Sequence, residues 1–194
     1  MDSLNTVIAS LFLWISSHLH VINADFKQPS HYPEVKFIPQ NKLSEMACER
    51  PCPVIGWYPT KNQIPGKEIL YMIEGVYPVK DLCIRTILLH ELVHFWQDYN
   101  DAFENSGDSQ KVVFTRREQQ AMILEHLYRG QEYAKYRKEN EKEYYPKCCK
   151  EIAFGRCINN PEWINQYLNV TKKLIIFFKS NFLSYNFLYG EFIN

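Results

Sequence analysis

An α+β fold is what this sequence predicts, on three observations. Apolar residues recur at helical spacing from Leu4 to Leu19, and short β-branched and aromatic stretches separated by prolines fill the region between Pro33 and Pro78. From Asp81 onward the period turns helical again. With 194 residues, 46% of them hydrophobic, the chain can bury a substantial core and is short enough for one domain. That domain is expected to span 1–194, with a core at about 34–130 and a helical C-terminal extension at about 131–194.

The N-terminal segment offers Leu4, Val7, Ile8, Leu11, Phe12, Ile15 and Leu19 at helical spacing. Residues 7–15 could also form a signal-peptide core, with Ala24 as the small residue at a cleavage site. The basic flank such a peptide needs is missing, because Asp2 precedes the run and the first lysine is Lys27. The expectation is therefore an amphipathic first helix and no cleaved signal peptide. Three strands follow, at 34–38, 54–58 and 69–73, punctuated by Pro33, Pro39, Pro53, Pro59, Pro65 and Pro78. Helices are then expected at about 81–99, at 116 to about 144 with a break at Gly130, and as two shorter pieces near the end. Asn160 before Pro161 is a good start for one of those.

Lys+Arg and Asp+Glu number 22 each, so no net charge draws the chain to nucleic acid or an anionic membrane. The C-terminal apolar run 174–178 is bounded by Lys172, Lys173 and Lys179, and no membrane span is expected. Six cysteines are too sparse to replace a core; Cys48 with Cys52, and the group Cys148, Cys149 and Cys157, could serve disulfides or a structural zinc. Asn169-Val170-Thr171 fits a glycosylation acceptor, relevant only to a secreted eukaryotic chain.

The informative segment is His90-Glu91-Leu92-Val93-His94. Residues four apart on an α-helix share a face about one turn apart, which is where two ligands of one metal ion must sit. Glu91 falls about 100° round from His90, beside such an ion rather than under it. In this HExxH arrangement the two histidines bind zinc and the glutamate takes a proton from the water that the metal activates. A shuffled chain of this composition carries roughly 0.015 such matches, so chance is a weak competitor. Context weakens it further. Leu82, Ile84, Leu88, Leu89, Leu92, Val93, Phe95 and Trp96 cover more than half the helical circumference, leaving a stripe of Thr86, Gln97, His90, Cys83 and His94. Two imidazoles and a carboxylate on a helix this apolar need partners, and a divalent cation supplies them.

Catalytic zinc normally takes a third protein ligand. Gln97 and Asn100 stand where a metzincin continuation would need Gly and His, so that branch is excluded. On the next helix, Glu118 shares a face with Ala121, Met122, Glu125 and Arg129. Thr115-x-x-Glu118 also fits a capping box, in which Glu118 would only bond back to a helix start, leaving Glu125 or His126 as the ligand. Glu125 and Arg129, four apart, could simply be a solvated ion pair.

HELVH followed by a helix bearing Glu118-x-x-Ala121 resembles the gluzincin branch of the zincin metallopeptidases, and is similar to small bacterial proteins with an HELVH helix and a nearby Arg-Glu-x-x-Ala segment. The resemblance covers about 34–130 and implies a zincin-like core: a small sheet, the HExxH helix and a glutamate helix. Position by position it implies His90, His94 and Glu118 as zinc ligands and Glu91 as general base. Many gluzincins place an Asp four residues after the ligand Glu to orient a zinc-bound His; here that position is Met122, so the orienting group is unassigned. His126, Tyr99 and Tyr128 are candidates, by residue type, for stabilising a developing oxyanion.

The function expected is that of a zinc-dependent peptidase acting on a peptide or protein, with strand 69–73 aligning an extended substrate along its edge. The alternative is a catalytically inactive zinc-binding or interaction protein that retains the site. Glu91 separates them, because a purely structural zinc does not need it.

Overall fold

The computed structural model of the chain describes residues 3–48, 52–104 and 106–139, with side chains described as far as 132. In order these form α1 (Leu4–His18) continued by a 3-10 turn (Leu19–Val21), β1 (Glu34–Ile38), α2 (Gln40–Ala47), β2 (Gly56–Trp57), β3 (Ile69–Ile73), α3 (Leu82–Tyr99) and α4 (Gln110–Glu139). The α+β class and the three-stranded sheet are as the sequence predicts. The two C-terminal helices, Asn160, Cys148, Cys149, Cys157 and the Asn169 acceptor lie outside the described residues.

The sheet order is β1-β3-β2, with β1 parallel and β2 antiparallel to β3. β3 is thus the central strand, paired with β1 along its length and with β2 at Tyr71 and Met72, and not the edge strand that the expected pairing of 69–73 with a substrate calls for. Its sequence suits that position: Leu70 and Met72 are fully buried, whereas β1 alternates exposed Glu34 and Lys36 with half-buried Val35 and Phe37, as an edge strand does. The strand expected at 54–58 is reduced to Gly56 and Trp57, paired with Met72 and Tyr71. The reason is local. The carbonyl of Val54 accepts from Gln40 Nε2 (2.8 Å), and the amide of Tyr58 leaves the ladder to donate to Glu91 Oε2 (3.0 Å). Helix α2, whose only fully buried apolar side chain is Leu43, is too short for its period to register in the sequence. Between α2 and β2, Cys48 and Cys52 form a disulfide, so that pair is not a zinc site.

Among the described residues, α3 is the helix around which the core is built. Asp81 caps it, its carboxylate accepting from the amides of Cys83 (2.8 Å) and Ile84 (3.2 Å). Leu88, Leu89, Leu92, Val93, Phe95 and Trp96 are fully buried, and each such side chain contributes about 1.5–3 kcal/mol. α1 covers one side: Phe12 packs on Phe95 and Trp96 with ring centroids 5.9 and 5.6 Å away. By length and composition Leu4–Val21 could cross a membrane, and among the described residues it alone passes that test. Here a third of that window is buried, including Val7, Ile8, Leu11, Phe12 and Ile15, and this single candidate near the N-terminus does not amount to a clear span.

α3 ends in a Schellman motif, with Asp101 left-handed (φ 49°), Asp101 N donating to Asp98 O (3.2 Å) and Ala102 N to Gln97 O (2.8 Å). The chain then returns as α4, antiparallel to α3. α4 begins at Gln110, six residues before the expected start. Thr115 is therefore interior, its hydroxyl donating to Lys111 O (2.8 Å), and the capping box does not form. Nor does Gly130 break the helix, which runs through to Glu139. A Cβ at Gly130 would meet nothing within 4 Å, so Gly130→Ala should stabilise the protein by about 0.5–1 kcal/mol. A chemical-denaturation midpoint that rises without a change in slope would show this; a fall would mean the position has an unrecognised constraint.

Candidate metal centre

Antiparallel packing sets the polar stripe of α3 against one face of α4. His90, His94 and Glu118 offer ligand atoms that all lie within 4.8 Å of one another. His90 Nε2 and His94 Nε2 are 3.1 Å apart; Glu118 Oε2 is 3.4 Å from the first and Oε1 is 3.1 Å from the second. The histidine side chains are 9% and 12% exposed and that of Glu118 is 30%, so solvent reaches the group past the glutamate.

The outer nitrogens identify the lone pairs. Gln97 Nε2 donates to Arg117 O (2.9 Å) and to Gln120 Oε1 (3.0 Å), which turns Gln97 Oε1 toward His94 Nδ1 at 2.9 Å. An amide oxygen only accepts, so Nδ1 of His94 carries the proton and Nε2 presents its lone pair. His90 Nδ1 likewise faces a carboxylate, Glu125 Oε2, at 3.0 Å. With both rings in this tautomer, two nitrogen lone pairs and a carboxylate converge with no proton among them.

Glu125 therefore lies outside the converging group. It occupies the far side of the His90 ring, three residues along α4 from Met122, the position at which the resemblance implies an orienting acid. Its other oxygen accepts from Arg129, and both side chains are largely buried, so this is not a solvated pair. Glu125 could be singled out in the sequence only as a possible ligand, and Gln97 only as a polar residue on the stripe. Neither role was legible, because each depends on which helix packs opposite.

Glu91 is buried beside the group, on the face of α3 that meets β2. Its Oε2 accepts from Tyr58 N, and β2 presses against its stem: a Cβ at Gly56 would fall 3.0 Å from Glu91 Cγ and 3.1 Å from Ile87 Cγ2. Any side chain at 56 would need Glu91 and Ile87 to give way by a few tenths of an ångström. Behind it, Asp98 Oδ2 accepts from Tyr58 OH (3.3 Å) and Lys61 N (2.9 Å), while Arg117 Nη1 stands 3.6 Å from Oδ1 and Arg117 Nε donates to Ala102 O (3.2 Å).

The three oxyanion candidates are placed differently. Tyr99 lies against Phe95 and His31, and Tyr128 packs edge-on to Trp14, so neither joins the converging group. His126 is not part of that group either; burial holds its pKa down, with Glu125 raising it and Arg129 and His90 adding to the depression.

Without a metal ion, a proton takes its place. Burial opposes the His90 imidazolium, but the hydrogen bonds and charges of Glu118 and Glu125 outweigh it and push His90 up to about 10. Burial likewise opposes ionised Glu118, yet the charge of His94 and the bonds to both histidines hold it well below its ordinary value. Glu125 is held down to about 2 by His90 and Arg129 against the same burial penalty. Comparisons with protein-family models, with curated proteins and with solved structures gave no match.

Two outcomes follow. A group whose pKa is raised on folding stabilises fully below its unfolded value and loses that contribution as pH climbs through the folded one. The metal-free protein should therefore lose thermal stability between pH about 6.5 and about 10, read by melting in chelator, whereas a flat profile would remove His90 from the ion-pair cluster. Gly56→Ala should cost about 1–3 kcal/mol, because β2 and Glu91 must part to admit the methyl. Denaturation showing no loss would mean that β2 is free to shift.

Proposed function

We propose that this chain is a zinc-dependent peptidase with a gluzincin-like, zincin-type site. What carries the proposal is the convergence of His90 Nε2, His94 Nε2 and the Glu118 carboxylate, with the outer nitrogen of each imidazole already bonded to its own acceptor. Separations of 3.1–3.4 Å suit donors around a tetrahedral ion with bonds of about 2.0–2.1 Å. Two imidazoles and one carboxylate are also the donor set of a catalytic zinc rather than of calcium or magnesium, which favour oxygen throughout.

Zinc bound by these three residues would polarise the scissile carbonyl and acidify a water. The protein's own part is to hold, orient and move protons. Glu125 and Gln97 lock the two rings, and the Tyr58 amide fixes one oxygen of Glu91, leaving the other to accept the proton from the attacking water and return it to the departing amine. An extended peptide finds its pairing partner at the outer edge of β2, adjacent to Glu91, instead of at the central strand β3.

The test is metal content together with hydrolysis of a mixed peptide library. The purified protein should hold about one zinc per chain, and His90→Ala, His94→Ala or Glu118→Ala should lower its affinity sharply, since two protein ligands hold zinc weakly. Zinc retained at full occupancy in the His90/His94 double variant would refute the site. Glu91→Gln should keep metal and fold while turnover falls by about 100-fold or more, because an amide cannot accept the proton. Undiminished hydrolysis would take Glu91 out of the mechanism, and zinc binding with no hydrolysis of any peptide would favour a metal-binding protein that does not turn over.

A further inference from the structure

The side chain of Gln97 is fully buried, and each of its polar atoms is engaged. Its Oε1 accepts from His94 on its own helix. Its Nε2 reaches across to α4, donating to the carbonyl of Arg117, the residue before Glu118, and to Gln120, whose own amide continues to Ile22 O (3.1 Å). Its backbone carbonyl is also the acceptor of the Schellman bond from Ala102 N that turns the chain toward α4. One residue therefore touches one ligand directly and the helical turn that carries another.

We infer that Gln97 is a positioning residue that couples His94 to Glu118, fixing the His94 tautomer through its oxygen and the reach of Glu118 through its nitrogen. The inference rests on the metal reading above and adds to it the means by which ligands from two helices are set in register. An amide suits this task as a carboxylate does not. A glutamate at 97 could still accept from His94, but its second oxygen would face the Arg117 carbonyl and Gln120 Oε1, acceptor against acceptor. A methionine of similar length would leave His94 Nδ1 without its acceptor and would remove the bonds that Gln97 Nε2 makes to α4.

The experiment compares wild type, Gln97→Met and Gln97→Glu in the full chain. Two quantities are measured: zinc affinity by chelator competition, and the His94 tautomer, read as the ring nitrogen that keeps its proton, by 15N NMR of the zinc-loaded protein. Circular dichroism establishes which variants fold. Gln97→Met should weaken zinc binding by about 10–100-fold, the usual effect of losing an orienting partner, and should mix the two His94 tautomers. Gln97→Glu should keep the Nδ1–H tautomer yet still weaken zinc, because its link to α4 is lost. A purely structural role would lower stability without moving either readout.

Zinc affinity within about twofold of wild type in both folded variants overturns the inference while leaving the metal site standing. A wild-type affinity in Gln97→Glu alone overturns the coupling to Glu118. If Gln97→Met does not fold, Gln97→Glu still decides that point, and the tautomer in Gln97→Glu decides the other. A wild-type protein that takes up no zinc overturns the metal reading itself, and this inference with it.

Discussion

The structure depends on finding partners for the imidazole, carboxylate and amide side chains that α3 carries into the core. A helix with Leu88, Leu89, Leu92, Val93, Phe95 and Trp96 fully buried also buries His90, Glu91, Gln97 and Asp98. Each of these would cost several kcal/mol if left without a partner in the interior. The partners come from different directions. Glu91 is met by the amide of Tyr58, which is why β2 stops at Trp57; Asp98 is met by Tyr58 OH and Lys61 N; His90 and Gln97 are met by α4. Sheet, axial helix and glutamate helix are thus held together by groups that belong to the site, as well as by the apolar contacts between them.

This arrangement separates functions along α3. One side, closed by α1 through Phe12 against Phe95 and Trp96, is apolar and supplies stability. The other is polar and has a graded exit to solvent, since Glu118 is more exposed than either histidine. The histidines are thus enclosed by the core, and the group meets solvent on its Glu118 side. The buried Arg129 extends the same logic behind Glu125, supplying the positive charge that keeps the carboxylate ionised beside His90.

The departures from expectation have local causes. Thr115 looked like a helix start because a threonine three residues before a glutamate satisfies a capping box; α4 instead starts at Gln110, and Glu118 is freed to face the histidines. Gly130 looked like a break, yet helix and packing carry through a residue whose cost is only about 1 kcal/mol. Strand 69–73 looked like an edge because pairing order cannot be read from a run of apolar residues, and the sheet places it in the middle.

What the sequence determined by itself is what repeats at short range. Helical period and the four-residue spacing of His90 and His94 place both imidazoles on one face wherever that helix is found, and β-branched and aromatic stretches bounded by prolines mark the strands. What only the tertiary structure decided is what stands across from α3. Whether Glu118 or Glu125 turns toward Nε2, which acceptor meets each Nδ1, and how tightly Gly56 is pressed against Glu91 all follow from the register of α4 and the approach of β2. Those are distances between segments up to 35 residues apart in the chain, set by packing of the whole core, and no local pattern of residues encodes them.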